Sequence, residues 1–378
     1  MSGSPDSPLP RLALGVASIA LTLAASWMVG QRAEASALTL MILLVEPAIW
    51  VALVAVALYG ALAGRWTRAL AALALLVGVS WNLRRPPVSE VPQTAPEALT
   101  PTVRECASQI AAPRGTVRVA TWNTGGQTDP HALARAVAGL RADVIVLQEI
   151  RGERLLQQIV DDLQDQLQEE TGPLASVDGD LTDDAVVEGV FSEAMRSNGL
   201  GLIVRRGVFG VCGQAERDFW PMDLPAASGR TARATLAFPK VAGVGYVPVV
   251  AAHLDRPARL PELATWPRRI HRSALTLGGL ARALDNPALI VLGDTNTHGT
   301  FRRFSGVMQG AGLFEVPPRP TWPASLLGVP ALPLYPLDRV WHGAAWAPVQ
   351  LRAVRTASPS DHLAVVTELR AAGDDIIR

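Results

Sequence analysis

Eight residues of this sequence combine reactive side chains with a shared position, the end of an apolar run. Asn123 ends VRVATWN, and Glu149 stands at the end of ADVIVLQEI. His253 closes VVAAH, and Asp294 and Asn296 follow the apolar ALIVLG. Asp338 opens LDRVW, and Asp361 and His362 open HLAVVTELR. Short apolar runs bounded by turn residues read as buried strands. Side chains at the ends of strands that share a sheet converge on one rim. The set holds four carboxylates, two amides and two histidines, with no Ser or Cys in an elbow-like nucleophile motif. Hard oxygen ligands suit Mg²⁺ or Mn²⁺. Histidines beside carboxylates suit acid–base catalysis and stabilisation of developing charge. Together they point to hydrolysis of a phosphate ester by a metal-activated water.

The elements that must position these residues begin near Thr116. Besides the runs above, LGLIVRR, TARATLAF and GYVPVVAAHLD are strand candidates. HALARAVAGLR has helical spacing, and further helices fall around 151–170 and 268–284. Strands outnumber helices and alternate with some of them, which predicts a layered α/β sandwich with mixed sheets. The acidic, turn-rich stretch 171–197 reads as a surface loop. His131, His271 and His342 have no motif around them and read as structural or surface groups. His298 reads as an exposed loop residue or a substrate contact. Arg256, Arg259, Arg268, Arg269 and Arg272 read first as a solvated helix face, with an anion-binding patch as the alternative. Arg230 and Arg233 lie on a strand that could face the site. Trp322 and Trp341, near Asp338, read as core, with lining of the cleft as the alternative.

The order WN, QE, HLD, GDTN, D, SDH resembles that of the deoxyribonuclease I-like (endonuclease/exonuclease/phosphatase) superfamily, over roughly residues 116–370. That superfamily includes exonuclease III, sphingomyelinases and inositol phosphatases. WN or QE alone is a weak signal, but GDTN and SDH in this order are a strong one. The resemblance implies a four-layered α/β sandwich with its site between the two sheets. It implies Mg²⁺, with Mn²⁺ as an alternative, held by Glu149 as main ligand and by Asp361 more indirectly. Asp294 would orient or deprotonate the attacking water, supported by Asn123. Asn296 would donate to phosphate oxygens. His362 would stabilise transition-state charge, with Asp338 fixing its ring, and His253 resembles the second histidine of the deoxyribonuclease and sphingomyelinase branches. The family often has an aromatic residue where this chain has Thr295, a departure that alters packing more than chemistry.

Composition adds a second module. The chain has 378 residues, 49% of them hydrophobic, and a mean hydropathy of +0.22. The apolar excess lies in residues 1–83. Residues 12–30 carry no charge, residues 37–64 carry only Glu46, and a third stretch, 69–83, lies between Arg68 and Arg84, with its helix expected over about 67–83. About 20 apolar residues span a bilayer core, so we expect a transmembrane module of three helices, with two as the alternative. The flanking arginines divide evenly for three helices, so the positive-inside rule leaves the sidedness open. The layout also looks like bacterial membrane-bound members of the superfamily, whose catalytic domain is thought to face outside. We therefore expect an integral protein of the cell membrane with an extracytoplasmic catalytic domain at 116–378. Residues 84–115 read as an extended Pro-rich linker.

Charge narrows the substrate. Residues 1–115 hold 8 Arg and 6 acidic residues, leaving 26 basic and 28 acidic residues downstream out of 34 of each. A grip on long duplex DNA calls for a basic excess, and this domain lacks one. A phospholipid or envelope-associated phosphate is therefore the leading substrate. A membrane-tethered nuclease is the second reading, and a non-catalytic membrane scaffold a third. The two cysteines, Cys106 and Cys212, form no zinc-type cluster. They read as unrelated buried thiols, with one disulfide as the alternative, and that alternative would require an oxidising compartment.

Overall fold

The structure is a computed structural model that describes residues 100–171, 187–192, 199–209, 219–226, 232–257, 262, 265–297, 302–326 and 329–373. The three apolar stretches expected to span a membrane lie outside these residues. Among the described residues no helix is long and apolar enough to cross a membrane.

The chain runs through α1 (Pro101–Gln109), β1 (Thr116–Asn123), α2 (Pro130–Leu140), β2 (Val144–Ile150) and α3 (Glu153–Thr171). It continues through β3 (Val187–Ser192), β4 (Gly199–Arg205), β5 (Gly207–Phe209), β6 (Phe219–Leu224), β7 (Ala232–Ala237), β8 (Pro239–Val241), β9 (Gly245–Tyr246) and β10 (Val249–His253). Then come α4 (Trp266–Leu284), β11 (Ile290–Asp294), α5 (Arg302–Gly310), β12 (Phe314–Glu315), β13 (Ser325–Leu326) and β14 (Val329–Pro330). The last strands are β15 (Asp338–His342), β16 (Trp346–Val354) and β17 (Ala364–Ala371).

Two six-stranded mixed sheets result, in the orders β16-β17-β1-β2-β4-β3 and β12-β15-β11-β10-β7-β6. The chain thus forms the mixed α/β sandwich that the strand pattern predicts. Alternation in each strand sends one set of side chains between the sheets. Val117, Val119, Val144, Val146 and Leu202 from the first sheet share one buried cluster with Val249, Ala251, Ile290, Leu292 and Val340 from the second. The opposite set of the first sheet, including Trp122, Ile145 and Leu147, packs with Leu133 and Val137 of α2 and Ile159 and Leu163 of α3. On the second sheet, Trp341 of β15 meets Phe304 of α5 with ring centroids 5.3 Å apart.

Local signals set the helix ends. Asp129 caps α2, its carboxylate accepting from the N–H groups of His131 and Ala132, and Pro130 fills the first turn where no N–H is needed. Helix α1 lies inside the stretch expected to be an extended linker. Thr100 caps it and Pro101 starts it, while Val103, Cys106 and Ala107 are buried. The Asn286 amide donates to the Ala107 carbonyl at 2.7 Å, so this segment belongs to the packed unit. Cys106 is disulfide-bonded, contrary to the reading as a free thiol. The chain's other cysteine, Cys212, lies outside the described residues. Part of the expected 171–197 loop is also ordered as strand, since β3 pairs along its whole length with β4.

Candidate active site

The eight residues reach one place from two sheets. Asn123, Glu149, Asp361 and His362 come from the ends of β1 and β2 and the approach to β17. His253, Asp294 and Asp338 form a single rung of the second sheet, because His253 pairs with Asp294 and Asp294 with Asp338. Hydrogen bonds between side chains tie the two sheets together at this end. Asn123 Nδ2 donates to Asp294 Oδ2 at 3.0 Å and to Glu149 Oε1 at 3.2 Å. His362 Nδ1 meets Asp338 Oδ2 at 2.8 Å.

Backbone geometry explains why these positions can do this. Glu149 sits at a register shift between β2 and β4 and has φ +61°, a left-handed conformation that a glutamate rarely adopts. A bulge of this kind turns a side chain out of the strand's normal alternation, and strain held in this way clusters at functional positions. Asn296 is also left-handed, at φ +47°, which asparagine tolerates. Its N–H donates to Asp294 Oδ1 at 2.8 Å and its Nδ2 to the Leu254 carbonyl at 2.8 Å. One of its amide hydrogens is therefore committed to backbone. Gly293 has φ +152°, and a Cβ there would run into the Ala252 carbonyl oxygen. The glycine of GDTN is thus a requirement of strand packing. Gly125, at φ +64°, leaves room for Asp361, whose Oδ1 would lie 3.3 Å from a Cβ added at this position.

Burial makes the electrostatics strong. His362 is 4% exposed, and Asp294 and Asp338 are each 1% exposed. Burial alone would push His362 toward the neutral form. The carboxylates of Asp338 and Asp294, the hydrogen bond from Nδ1 to Asp338 and the charge of Asp361 outweigh it, raising the imidazole from 6.5 to about 9. Burial raises Asp338 too, with the His362 charge pulling the other way. Two neighbouring carboxylates favour charge on the ring, so we describe the pair as carboxylate and imidazolium. Asp294 Oδ2 lies 3.8 Å from His253 Nε2 and 3.9 Å from His362 Nε2. These gaps are too long for direct hydrogen bonds, and a water donating to the Asp294 carboxylate could bridge them.

The donor set fits a hard divalent cation. Glu149, Asp294, Asp338 and Asp361 set four carboxylates against one imidazolium, an excess of negative charge that would repel an anionic ester unless a cation offset it. Asp294, Asp338 and His362 bring one ligand atom each within 4.8 Å of one another, a spacing that could hold a metal. An imidazolium bonded to Asp338 makes a poor ligand, however, and Mg²⁺ or Mn²⁺ prefer oxygen. We read that trio as an acid cluster.

Several partners were hidden from sequence reasoning. Trp322, expected first in the core, follows the cleft-lining alternative instead: it is half-buried at the site, and its Nε1–H donates to Asp361 Oδ2 at 3.0 Å. Ser360 Oγ donates to the Asn123 carbonyl at 2.6 Å and accepts from the His362 N–H at 3.0 Å. Its presence in the SDH motif was the only signal. Arg269, expected on a solvated face, holds buried Asp255 of the HLD motif at 2.8 Å, while Arg256, Arg268 and Arg272 are exposed. Buried Arg339 reaches Glu315 at 2.9 Å and the Thr297 carbonyl at 3.2 Å, bracing the loop after Asp294. Arg233 pairs with Asp223 at 3.0 Å. Trp341 is core as expected, His131 pairs with Asp162 on the surface and His342 is buried against the Gly343 carbonyl. Arg230, Arg259 and His298 lie outside the described residues.

The model of the Endonuclease/Exonuclease/phosphatase family matches residues 120–362, more than half of the chain, from within β1 to His362. The chain belongs to the endonuclease/exonuclease/phosphatase family. It is accordingly a hydrolase acting on phosphate ester bonds. Among solved structures it is similar to an endonuclease/exonuclease/phosphatase from Beutenbergia cavernae, at 18% identity over 69% of this chain and 72% of that one, with a TM-score of 0.49. It is also similar to a family protein from Bacteroides thetaiotaomicron, at 13% identity, 68% and 98% coverage and a TM-score of 0.46. A mannosyl-6-phosphatase from that species matches at 13% identity, 67% and 99% coverage and a TM-score of 0.45. No curated protein sequence matches. Identities this low leave the substrate of this family member open.

Proposed function

We propose that this protein is a membrane-anchored, Mg²⁺-dependent phosphoesterase that hydrolyses a phospholipid or another envelope-associated phosphate. The observation that carries the catalytic part is the buried chain Asp338–His362 facing Asp294 across 3.9 Å. Glu149 and, through fewer contacts, Asp361 would hold the cation, which supplies charge neutralisation and polarisation of the phosphoryl group. Asp294 Oδ2, steadied by Asn123, orients the attacking water and accepts its proton. His362 keeps its proton on Nδ1 against Asp338, which aims Nε2–H at the oxygens that gain charge in the transition state. The Asn296 amide has one N–H left for a phosphate oxygen, and His253 lines the same gap on the other side of Asp294.

The membrane part rests on the uncharged stretches within residues 1–83 and on the neutral balance of the catalytic region. The bonded Cys106 supports an extracytoplasmic placement, because disulfides persist in oxidising compartments. A tethered nuclease is the reading to beat, since family membership includes nucleases by name. The test assays the full chain in detergent with Mg²⁺ or Mn²⁺, in parallel on glycerophospholipid and polyprenyl phosphates and on plasmid DNA. Release of phosphate or headgroup from lipid supports the proposal. Nicking of DNA without lipid turnover would make the protein a tethered nuclease.

A further inference from the structure

The residues between the site's tryptophan and its buried aspartate have no role in the chemistry above. Residues 322–337 read WPASLLGVPALPLYPL, sixteen positions without one charged side chain, in a chain where 18% of residues are charged. The described parts, 322–326 and 329–337, pair with each other as a ribbon. The Trp322 carbonyl accepts from the N–H groups of Leu334 and Tyr335, the Tyr335 carbonyl accepts from Trp322, and Ala331 N–H donates to Ala324. Leu332 is 79% exposed and, two residues on, Leu334 is 44% exposed. Single exposed leucines are ordinary on protein surfaces, but two within three residues of a charge-free stretch are not explained by packing within the chain.

Pro323, Pro330, Pro333 and Pro336 have no N–H to satisfy. Arg355 closes the base, donating from Nη1 to the Ala324 carbonyl at 2.6 Å and from Nη2 to the Ala331 carbonyl at 3.1 Å. An apolar phase rejects unpaired backbone groups, and these prolines and bonded carbonyls reduce the number this stretch would carry into one. The ribbon is also joined to the site, through the Trp322 bond to Asp361 Oδ2 and the bond from Ala324 N–H to the Asp361 carbonyl at 2.6 Å.

We propose that residues 331–337 of this ribbon form a bilayer-docking element, with Leu332 and Leu334 entering the lipid interface beside the active site. This rests on the membrane reading above. It adds that the catalytic unit itself touches lipid, in addition to any tether. A bilayer is favoured over a protein partner because the ribbon has no charge for pairing and the sequence already places uncharged spans upstream.

The test uses the full chain reconstituted into phosphatidylglycerol–phosphatidylethanolamine vesicles containing doxyl-labelled phosphatidylcholine. An environment-sensitive fluorophore is attached at Leu332→Cys or, for comparison, at Val349→Cys, an exposed apolar position on β16. The expected result is a blue shift and strong doxyl quenching at 332, with little of either at 349. A chain that floats with the vesicles but shows no quenching at 332, or equal quenching at both positions, would overturn the inference and leave the anchor standing. A chain that stays out of the vesicles altogether would overturn the membrane reading and this inference with it. The Leu332→Ser/Leu334→Ser double variant should lose roughly tenfold or more of its turnover on vesicle-borne ester, since each buried leucine is a sizeable apolar contribution. Its turnover of a water-soluble aryl phosphate should be unchanged, and equal losses on both substrates would count against the proposal.

Discussion

Replacing Asp338 with Asn should deprive His362 of the partner that keeps it charged. The imidazole stands at about 9, against 6.5 for an ordinary histidine, with burial working against the charge and Asp338, Asp294 and Asp361 working for it. A rise of this size is worth about 3 kcal/mol in favour of the protonated ring. Asp338 supplies the largest opposing charge and a hydrogen bond to the ring, so its loss should move the value down. At pH 7.5 the native ring is roughly 97% protonated. If the amide brought it back to about 6.5, the protonated fraction would fall to roughly a tenth. That alone predicts about a tenfold loss of kcat/KM at pH 7.5, and misorientation of the ring should extend it toward a hundredfold or more. The assay is kcat/KM against pH on a soluble aryl phosphate diester at saturating Mg²⁺. The native enzyme should lose activity on an alkaline limb as His362 gives up its proton, and the variant on a limb at lower pH. Identical limbs in the two enzymes would refute a catalytic imidazolium held by Asp338.

Further outcomes follow from the same geometry. Because His362 is raised on folding, its contribution to stability is complete below pH 6.5 and is lost as pH climbs through about 9; the native melting temperature should therefore fall between pH 7 and 10 by more than that of Asp338→Asn. Glu149→Gln should abolish most activity and weaken Mn²⁺ binding measured calorimetrically, and undiminished binding would place the cation elsewhere. Trp322→Phe keeps the ring but removes the donor to Asp361, so kcat should drop about tenfold, the cost of one hydrogen bond to a charged group, with KM for soluble ester little changed. Gly293→Ala puts a Cβ against the Ala252 carbonyl and should destabilise by about 3 kcal/mol or more; a thermal melt within a degree or two of native would contradict the packing described. Reduction of the Cys106 disulfide should lower the melting temperature by several degrees, from the roughly 2–4 kcal/mol that such crosslinks contribute.

The sequence was most legible where strands are buried on both faces. The runs ending at Asn123, Glu149, His253 and Asp294 are continuous apolar stretches, and their end residues meet because β1–β2 and β10–β11 are parallel pairs. Edge strands were harder to see. Most of β16 is exposed, so it has no apolar run to find, and β3 follows an acidic stretch that masks its start. Contacts made by long side chains were also invisible. Nothing in the spacing of Trp322 and Asp361, or of Asp255 and Arg269, says that they touch, since loop paths bring them together. The bulge at Glu149 depends on pairing with β4, a partner about fifty residues away, and local propensity for glutamate would argue against it. Helix α1 looked like linker because its proline content was read as extended chain, whereas Pro101 occupies the first helical position where proline fits.

The most direct test of the central claim is hydrolysis of a soluble phosphate ester by the full chain in ¹⁸O-labelled water, with and without Mg²⁺ and beside Asp294→Asn. The account predicts phosphate product carrying one ¹⁸O, loss of turnover on chelation with recovery on adding Mg²⁺, and at least about a hundredfold loss in the variant. Turnover that survives both chelation and Asp294→Asn would contradict it, and would mean that the water is activated somewhere other than this rung of the sheet.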